Sequence, residues 1–215
     1  MKKTLSIILT LILSVGLLAG CNSQTGKEEN NAKVINPLSE TLDVNALDNC
    51  TVAVSLEKGD AYVDDNGKMV MNLTVYSYEL YDMVDIASLK ENDVIVRRNE
   101  EVTITEVEHT ASGLVRINGG EENGGFDLVS NDNTVYYESG MNDIKAYYEL
   151  GKITLPVSVD FRYIDESEPE KEAKSYYPGD FLTDDADIEY NFTPNNTSIV
   201  IENGVITKMN KVYMP

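Results

Sequence analysis

The side chains able to do chemistry in this 215-residue chain are mostly carboxylates and phenols: 37 Asp and Glu and 13 Tyr, against one His and two Cys. His109 follows Glu108, but a catalytic triad also needs a serine or cysteine within hydrogen-bond reach, and no G-x-S-x-G turn presents one. His109 therefore reads as a surface residue. One histidine and two cysteines are too few for the usual zinc sites. Carboxylate pairs are abundant enough for a two-carboxylate glycosidase. None, however, sits in an apolar stretch that would raise one pKa, and there is no tryptophan to serve as a sugar platform. No residue is assigned a catalytic role and no cofactor motif is found.

The densest acidic run is PGDFLTDDADIEY, carrying Asp180, Asp184, Asp185, Asp187 and Glu189. Calcium takes six to eight oxygen ligands and tolerates irregular loops, so Asp184, Asp185 and Asp187 form a candidate calcium site. The run lacks the glycine and closing glutamate of an EF-hand, and the other reading is an acidic surface loop. The tyrosines fall in groups: Tyr76, Tyr78 and Tyr81; Tyr136 and Tyr137; Tyr147 and Tyr148; Tyr176 and Tyr177. Neighbouring residues on a strand face opposite ways, so each Tyr-Tyr pair is expected to send one ring to the core and one outward. Outward rings suit a glycan or protein contact, and ordinary cross-strand packing is the alternative. Four glycines within Asn118–Gly125 resemble an anion cradle in number only. A phosphate loop needs a following helix and a lysine, whereas this one carries Glu121 and Glu122 and runs into a strand, so a wide hairpin loop is expected.

The elements that must hold these groups are strands. Cys50, Val52, Val54 and Leu56 alternate with Thr51, Ala53 and Ser55, and Met69, Met71, Leu73 and Val75 resume the pattern after the Asp64–Gly67 turn, predicting a long hairpin. Asp82 to Leu89 carries a single helical turn. Short strands are expected at Val94–Val96, Val102–Ile104, Leu114–Ile117, Phe126–Val129 and Thr134–Glu138, with a bulge near Thr105 or Glu106 where the apolar phase slips. After the Asn142-Asp143 turn, Ile153 to Tyr163 is the clearest alternation, and Pro156 within it calls for an edge or a bulge. Ile188–Phe192, Thr197–Ile201 and Val205–Val212 read as a closing meander with an Asn203-Gly204 hairpin turn. No long stretch repeats at 3.6, so the class is all-β, an antiparallel sandwich or small barrel with little helix.

The amino terminus has a different composition. Lys2 and Lys3 precede an apolar run from Leu5 to Leu17, too short to span a bilayer, and the run ends in Leu18-Ala19-Gly20-Cys21. These four residues closely resemble the lipobox of bacterial lipoproteins. The resemblance implies diacylglycerol on the Cys21 thiol, removal of residues 1–20 as a signal peptide, and acylation, typically palmitate, of the new amino terminus. Residues 21–36 are then a lipidated cysteine and a polar, disordered tether. Residues 37–215 are the extracytoplasmic domain, with a sub-boundary placed in the charged loop 165–180.

Cleavage would remove two of the 17 basic residues and no acidic ones, leaving 15 against 37 and a formal charge of −22. Such a body disfavours nucleic acid and anionic lipid, both of which need Lys and Arg. With the Cys21 thiol committed to lipid, Cys50 has no partner for an intramolecular disulfide. The expectation is a lipid-anchored protein on the outer face of the bacterial cell membrane that binds or scaffolds a protein or glycan partner. The alternative is a carbohydrate-active enzyme or glycan-binding module. Because the tether has no amphipathic helix, all membrane affinity should reside in lipid on Cys21. Changing Cys21→Ala is expected to yield an amino-terminal fragment lacking the mass of a diacylglyceryl group, by mass spectrometry. A fragment that still carries that mass would overturn the assignment.

Overall fold

The computed structural model describes residues 32–39, 42–130, 132, 134–140 and 144–214. The expected signal peptide, Cys21 and the expected Asn142-Asp143 turn lie outside the described residues. Strand accounts for 47% of the chain and helix for 9%, so the all-β expectation holds.

The alternation from residue 50 builds the first part of a barrel. Cys50–Ser55 (β2) and Ala61–Val63 (β3) both pair with Met69–Ser77 (β4), giving the expected hairpin with a break at residues 56–60. Tyr148–Glu166 (β12) runs antiparallel to β4 from Tyr148 to Pro156. It then turns to a new neighbour, running parallel to Val205–Val212 (β15) as far as Glu166. Pro156 ends the first ladder, and an irregular stretch between Val157 and Arg162 follows, where the missing N–H costs no regular ladder bond. Thr197–Glu202 (β14) pairs with β15 and with β2, closing a ring of five strands. In chain order the ring runs first, second, third, fifth, fourth. That order, with only the third and fifth strands parallel, is the OB-type Greek-key barrel. Alternate residues fill its interior, including Val54, Leu73, Phe161, Ile199, Ile206 and Met209. Each fully buried side chain of this kind contributes about 1.5–3 kcal/mol.

A second module is inserted between β4 and β12. Leu80–Asp82 (β5), Val107–His109 (β8), Val115–Ile117 (β9), Phe126–Val129 (β10) and Val135–Ser139 (β11) form one antiparallel sheet, in the order β5-β11-β10-β9-β8. Val94–Arg97 (β6) and Glu100–Thr103 (β7) form a hairpin in another. The two sheets share a core that includes Ile35, Tyr81, Ile95, Ile117 and Leu128. A short helix, Met83–Ala87 (α1), is capped by Asp82, whose carboxylate accepts from the N–H groups of Val84 and Asp85.

Several expectations need correction. The tether ends before residue 36, because Val34–Ile35 (β1) pairs parallel with β6 and Ile35 is 1% exposed. Two residues are too short a run to show a period. The phase slip near Thr105 is a change of sheet rather than a bulge. Asn118 bridges the gap, its Oδ1 accepting from Thr105 N–H and its Nδ2 donating to the Thr103 carbonyl. The loop 165–180 folds back as Lys174–Tyr176 (β13) on β12, so it is no boundary; the two cores divide at Ser77 and Tyr148 instead. Ile188–Phe192 alternates in burial but has no strand beside it. Its apolar face packs on an aromatic plug, with the Phe192 ring 5.5 Å from Tyr163 and Tyr163 stacked on Tyr176. Among the described residues no helix is long and apolar enough to cross a membrane.

One charged pair is buried in the barrel beside this plug. Lys211 is 1% exposed, with Nζ 3.7 Å from Asp165 Oδ2 and 5.6 Å from the Phe192 ring centre. Asp165 also accepts from Ser167 N–H and O–H and from the Tyr163 hydroxyl. Burial pushes its carboxyl up, but the Ser167 and Tyr163 bonds and the Lys211 charge outweigh burial and hold it below the usual carboxylate range. A depressed folded-state pKa means that this stability is present above the unfolded value of about 3.9 and is lost as pH falls through the folded one. Asp165→Asn leaves Lys211 without its counter-charge, at an expected cost of about 3–5 kcal/mol near neutral pH. The variant should also lose stability less steeply than the parent below about pH 4. Lys211→Met keeps the Ser167 and Tyr163 donors on Asp165 and should cost less. Urea unfolding at neutral and acid pH measures all three; equal stability of Asp165→Asn and the parent would refute the pairing.

Candidate functional site

The calcium residues point to different partners. Asp184, 84% exposed, bonds Lys58 at 2.6 Å, and Asp187, 88% exposed, bonds Lys174 at 3.2 Å, while Asp185 has its N–H on Thr183 Oγ1. Among the described residues no group of three or more His, Cys, Asp or Glu is arranged to hold a metal ion. His109 is exposed at the end of β8. Cys50 is half-buried against the barrel core; burial first, then the nearby Asp48 charge, push its thiol pKa up and disfavour the reactive thiolate.

The tyrosine pairs sort by what covers them. Tyr176 is buried and Tyr177 is 54% exposed beneath the Arg162 guanidinium, as alternation requires. Tyr136 and Tyr137 are both buried, against expectation. Tyr136 faces the module core, and the opposite face of β11 is covered by the returning chain, with Lys145 Nζ 5.6 Å from the Tyr137 ring.

Two clefts follow from this architecture. One, of ≈ 550 Å3, lies at the β9–β10 loop and gathers Glu106, Glu108, Glu121, Glu122 and Asp127 around Arg116, which bonds Glu108 at 3.1 Å. The wide loop is the expected hairpin. It includes a 3-10 turn, Glu121–Asn123, and Gly125 is required because a Cβ there would lie 1.9 Å from the Ile117 carbonyl oxygen. Sequence reading missed this cleft because its carboxylates come from two strands, Glu108 on β8 and Asp127 on β10, and from the loops beside them, which only the sheet order brings together. No aliphatic or aromatic side chain is among its described lining residues. It therefore lacks the apolar wall by which a glycosidase keeps one carboxyl protonated.

The other cleft, of ≈ 340 Å3, is cut into the outer face of the barrel. Ser198 on β14, Ala53 on β2 and Tyr76 on β4 lie directly opposite one another across three strands. The methyl group of Ala53 between longer neighbours leaves a depression. The Tyr76 hydroxyl is held at 3.1 Å from Ser55 Oγ. Tyr78 and Tyr147, where the chain leaves and rejoins the barrel, supply a wall, their rings meeting edge to face at 5.2 Å. Lys145 Nζ sits 4.2 Å from the Tyr78 ring centre and fixes it further. Burial, and then the neighbouring Tyr78, push the Tyr147 phenol pKa up, so it remains a donor. Thr51, Ser77, Asn195, Asn196 and Thr197 complete the described polar lining. Asn196 is tied into its own turn by Thr193 N–H and by its bond to the Asn191 carbonyl. None of the described residues lining this cleft is charged.

The tyrosine grouping was visible in the sequence. Thr51, Ala53, Asn195 and Ser198 were not, since they meet only when the barrel closes. The sequence matches no protein-family model, and searches of curated proteins and of solved structures find no match either.

For calcium to gather Asp184, Asp185 and Asp187, the lysine pairs must open. The expected signature is a melting temperature higher in millimolar calcium than in chelator, with a larger increment in a Lys58→Ala, Lys174→Ala variant. Unchanged melting curves in both proteins would remove the metal.

Proposed function

We propose that this chain is a lipid-anchored binding module on the outer face of a bacterial cell membrane, and that its ligand sits in the tyrosine cleft on the barrel. The observation that carries this reading is the cleft itself. At ≈ 340 Å3 it falls at the small end of the range of about 300–1,000 Å3 usual for ligand sites, and it mixes fixed aromatic rings with a few hydroxyl and amide groups. Lipid on Cys21 and a polar tether would hold the cleft near the membrane while leaving it free to reorient. The acidic charge opposes direct contact with anionic headgroups. The role is retention or presentation of a partner rather than catalysis. The acidic cleft of the inserted module favours the second reading, a carbohydrate-active enzyme, by gathering several carboxylates in one concavity. Its wholly polar lining weighs against that reading.

The test is cosedimentation of the full chain, in a detergent without a sugar headgroup, with envelope material from which lipid has been extracted. Thr51 is exposed on β2, so Thr51→Glu places a charge in the cleft without disturbing the core. The parent should sediment with the envelope and Thr51→Glu should be retained about tenfold less, a loss near 1.4 kcal/mol. Equal retention of the two would refute the cleft as the binding site.

A further inference from the structure

The cleft is electrically unlike the rest of the molecule. A quarter of the chain's residues are charged, 25% by composition, and the mature body has 37 acidic side chains against 15 basic ones. Yet the described lining of this cleft holds no Asp, Glu, Lys or Arg. Among the described lining residues an anionic ligand would find no cation to pair with and a cationic one no carboxylate, and the Lys145 ammonium beside the wall is placed against the Tyr78 ring. What the lining offers is two kinds of group. Tyr76, Tyr78 and Tyr147 give apolar ring surface with hydroxyl edges, and Thr51, Asn195 and Ser198 give neutral donors and acceptors.

From this we infer that the ligand is a neutral carbohydrate chain, an inference that rests on the cleft being the binding site. Sugars present two faces of opposite character, C–H bonds on one and hydroxyls at the rim. The first pack on aromatic rings, and the second exchange hydrogen bonds with amides and hydroxyls without any charge being desolvated. Two features prepare the cleft for such a ligand. The Tyr78 and Tyr147 rings are held in place before binding by each other and by Lys145, which lowers the entropy lost on association. The side chains of Thr51 and Asn195 make no hydrogen bond among the described residues, so their donors and acceptors are open to a ligand. By contrast, the acidic cleft at the β9–β10 loop presents carboxylates that would each have to be stripped of water by a neutral sugar.

The test uses the full chain in a polyoxyethylene detergent and isothermal titration with four probes: cellotriose, maltotriose, tri-N-acetylchitotriose and the anionic trigalacturonate. At least one neutral trisaccharide should bind with a Kd of about 1 mM or tighter, and trigalacturonate should not. Tyr147→Ala and Thr51→Glu should each weaken that binding about tenfold or more, with melting curves matching the parent. Glu121→Gln, in the acidic cleft, should leave it unchanged. If no neutral trisaccharide binds but envelope retention is still lost in Thr51→Glu, the carbohydrate assignment is wrong while the cleft stands as the binding site. If retention ignores Thr51→Glu, both fall. Sugar binding lost in Glu121→Gln and kept in the two cleft variants would move the ligand to the inserted module and overturn the inference.

Discussion

The structure depends on one ladder, that between β4 and the first half of β12. Because β12 pairs with β4 up to Pro156 and with β15 from Val157 onward, a single strand joins the two ends of what would otherwise be an open sheet. Closure removes edges that would offer unpaired backbone groups to another chain. The strands left at the margin of this sheet, β3 and β13, are three residues each. Closure also pairs Tyr148 with Ser77, so the points where the chain leaves and rejoins the barrel are neighbours in one ladder. An insertion between them adds loop length without changing barrel register. The entropic cost of a longer loop grows only logarithmically, about 0.6 kcal/mol per doubling. That is why a complete second core can be accommodated there.

Individual strands were legible and their assembly was not. Cys50–Leu56, Met69–Val75, Ile153–Tyr163 and the final hairpin show a period of two because each buries one face and wets the other. Asn203 and Gly204, at φ 53° and 71°, adopt the left-handed turn that this dipeptide favours. Pairing between β12 and β15, or between β14 and β2, joins segments far apart in sequence and leaves no local mark. The errors share that cause. Ile188–Phe192 alternates like a strand because it buries one face on the plug, and a pattern of burial does not reveal whether a ladder partner is present. The charged loop 165–180 suggests a sub-boundary by its composition, whereas the true transit points near Tyr78 and Tyr147 look like ordinary strand.

Charge is sorted with equal consequence. Two of the buried or nearly buried carboxylates are tied to specific donors. Glu79, 6% exposed, accepts from the Tyr81 hydroxyl and the Arg98 N–H, and Glu138 holds the Arg97 guanidinium through two bonds of 2.6 and 2.7 Å. Such pairs are costly to desolvate and strongly directional, so they orient rather than simply stabilise. Their place in the fold matters here. Glu79 follows Tyr78 directly, and the Arg98 guanidinium lies 5.9 Å from the Tyr148 ring, next to Tyr147.

The inserted module and the barrel cleft thus adjoin one another in the chain. The two rings that wall the cleft are the residues adjoining the insertion points. Neither module alone would hold Tyr78 against Tyr147, since one ring belongs to the chain leaving β4 and the other to the chain arriving at β12. The ladder brings the two backbones together, and Lys145 Nζ stands 4.2 Å from the Tyr78 ring centre.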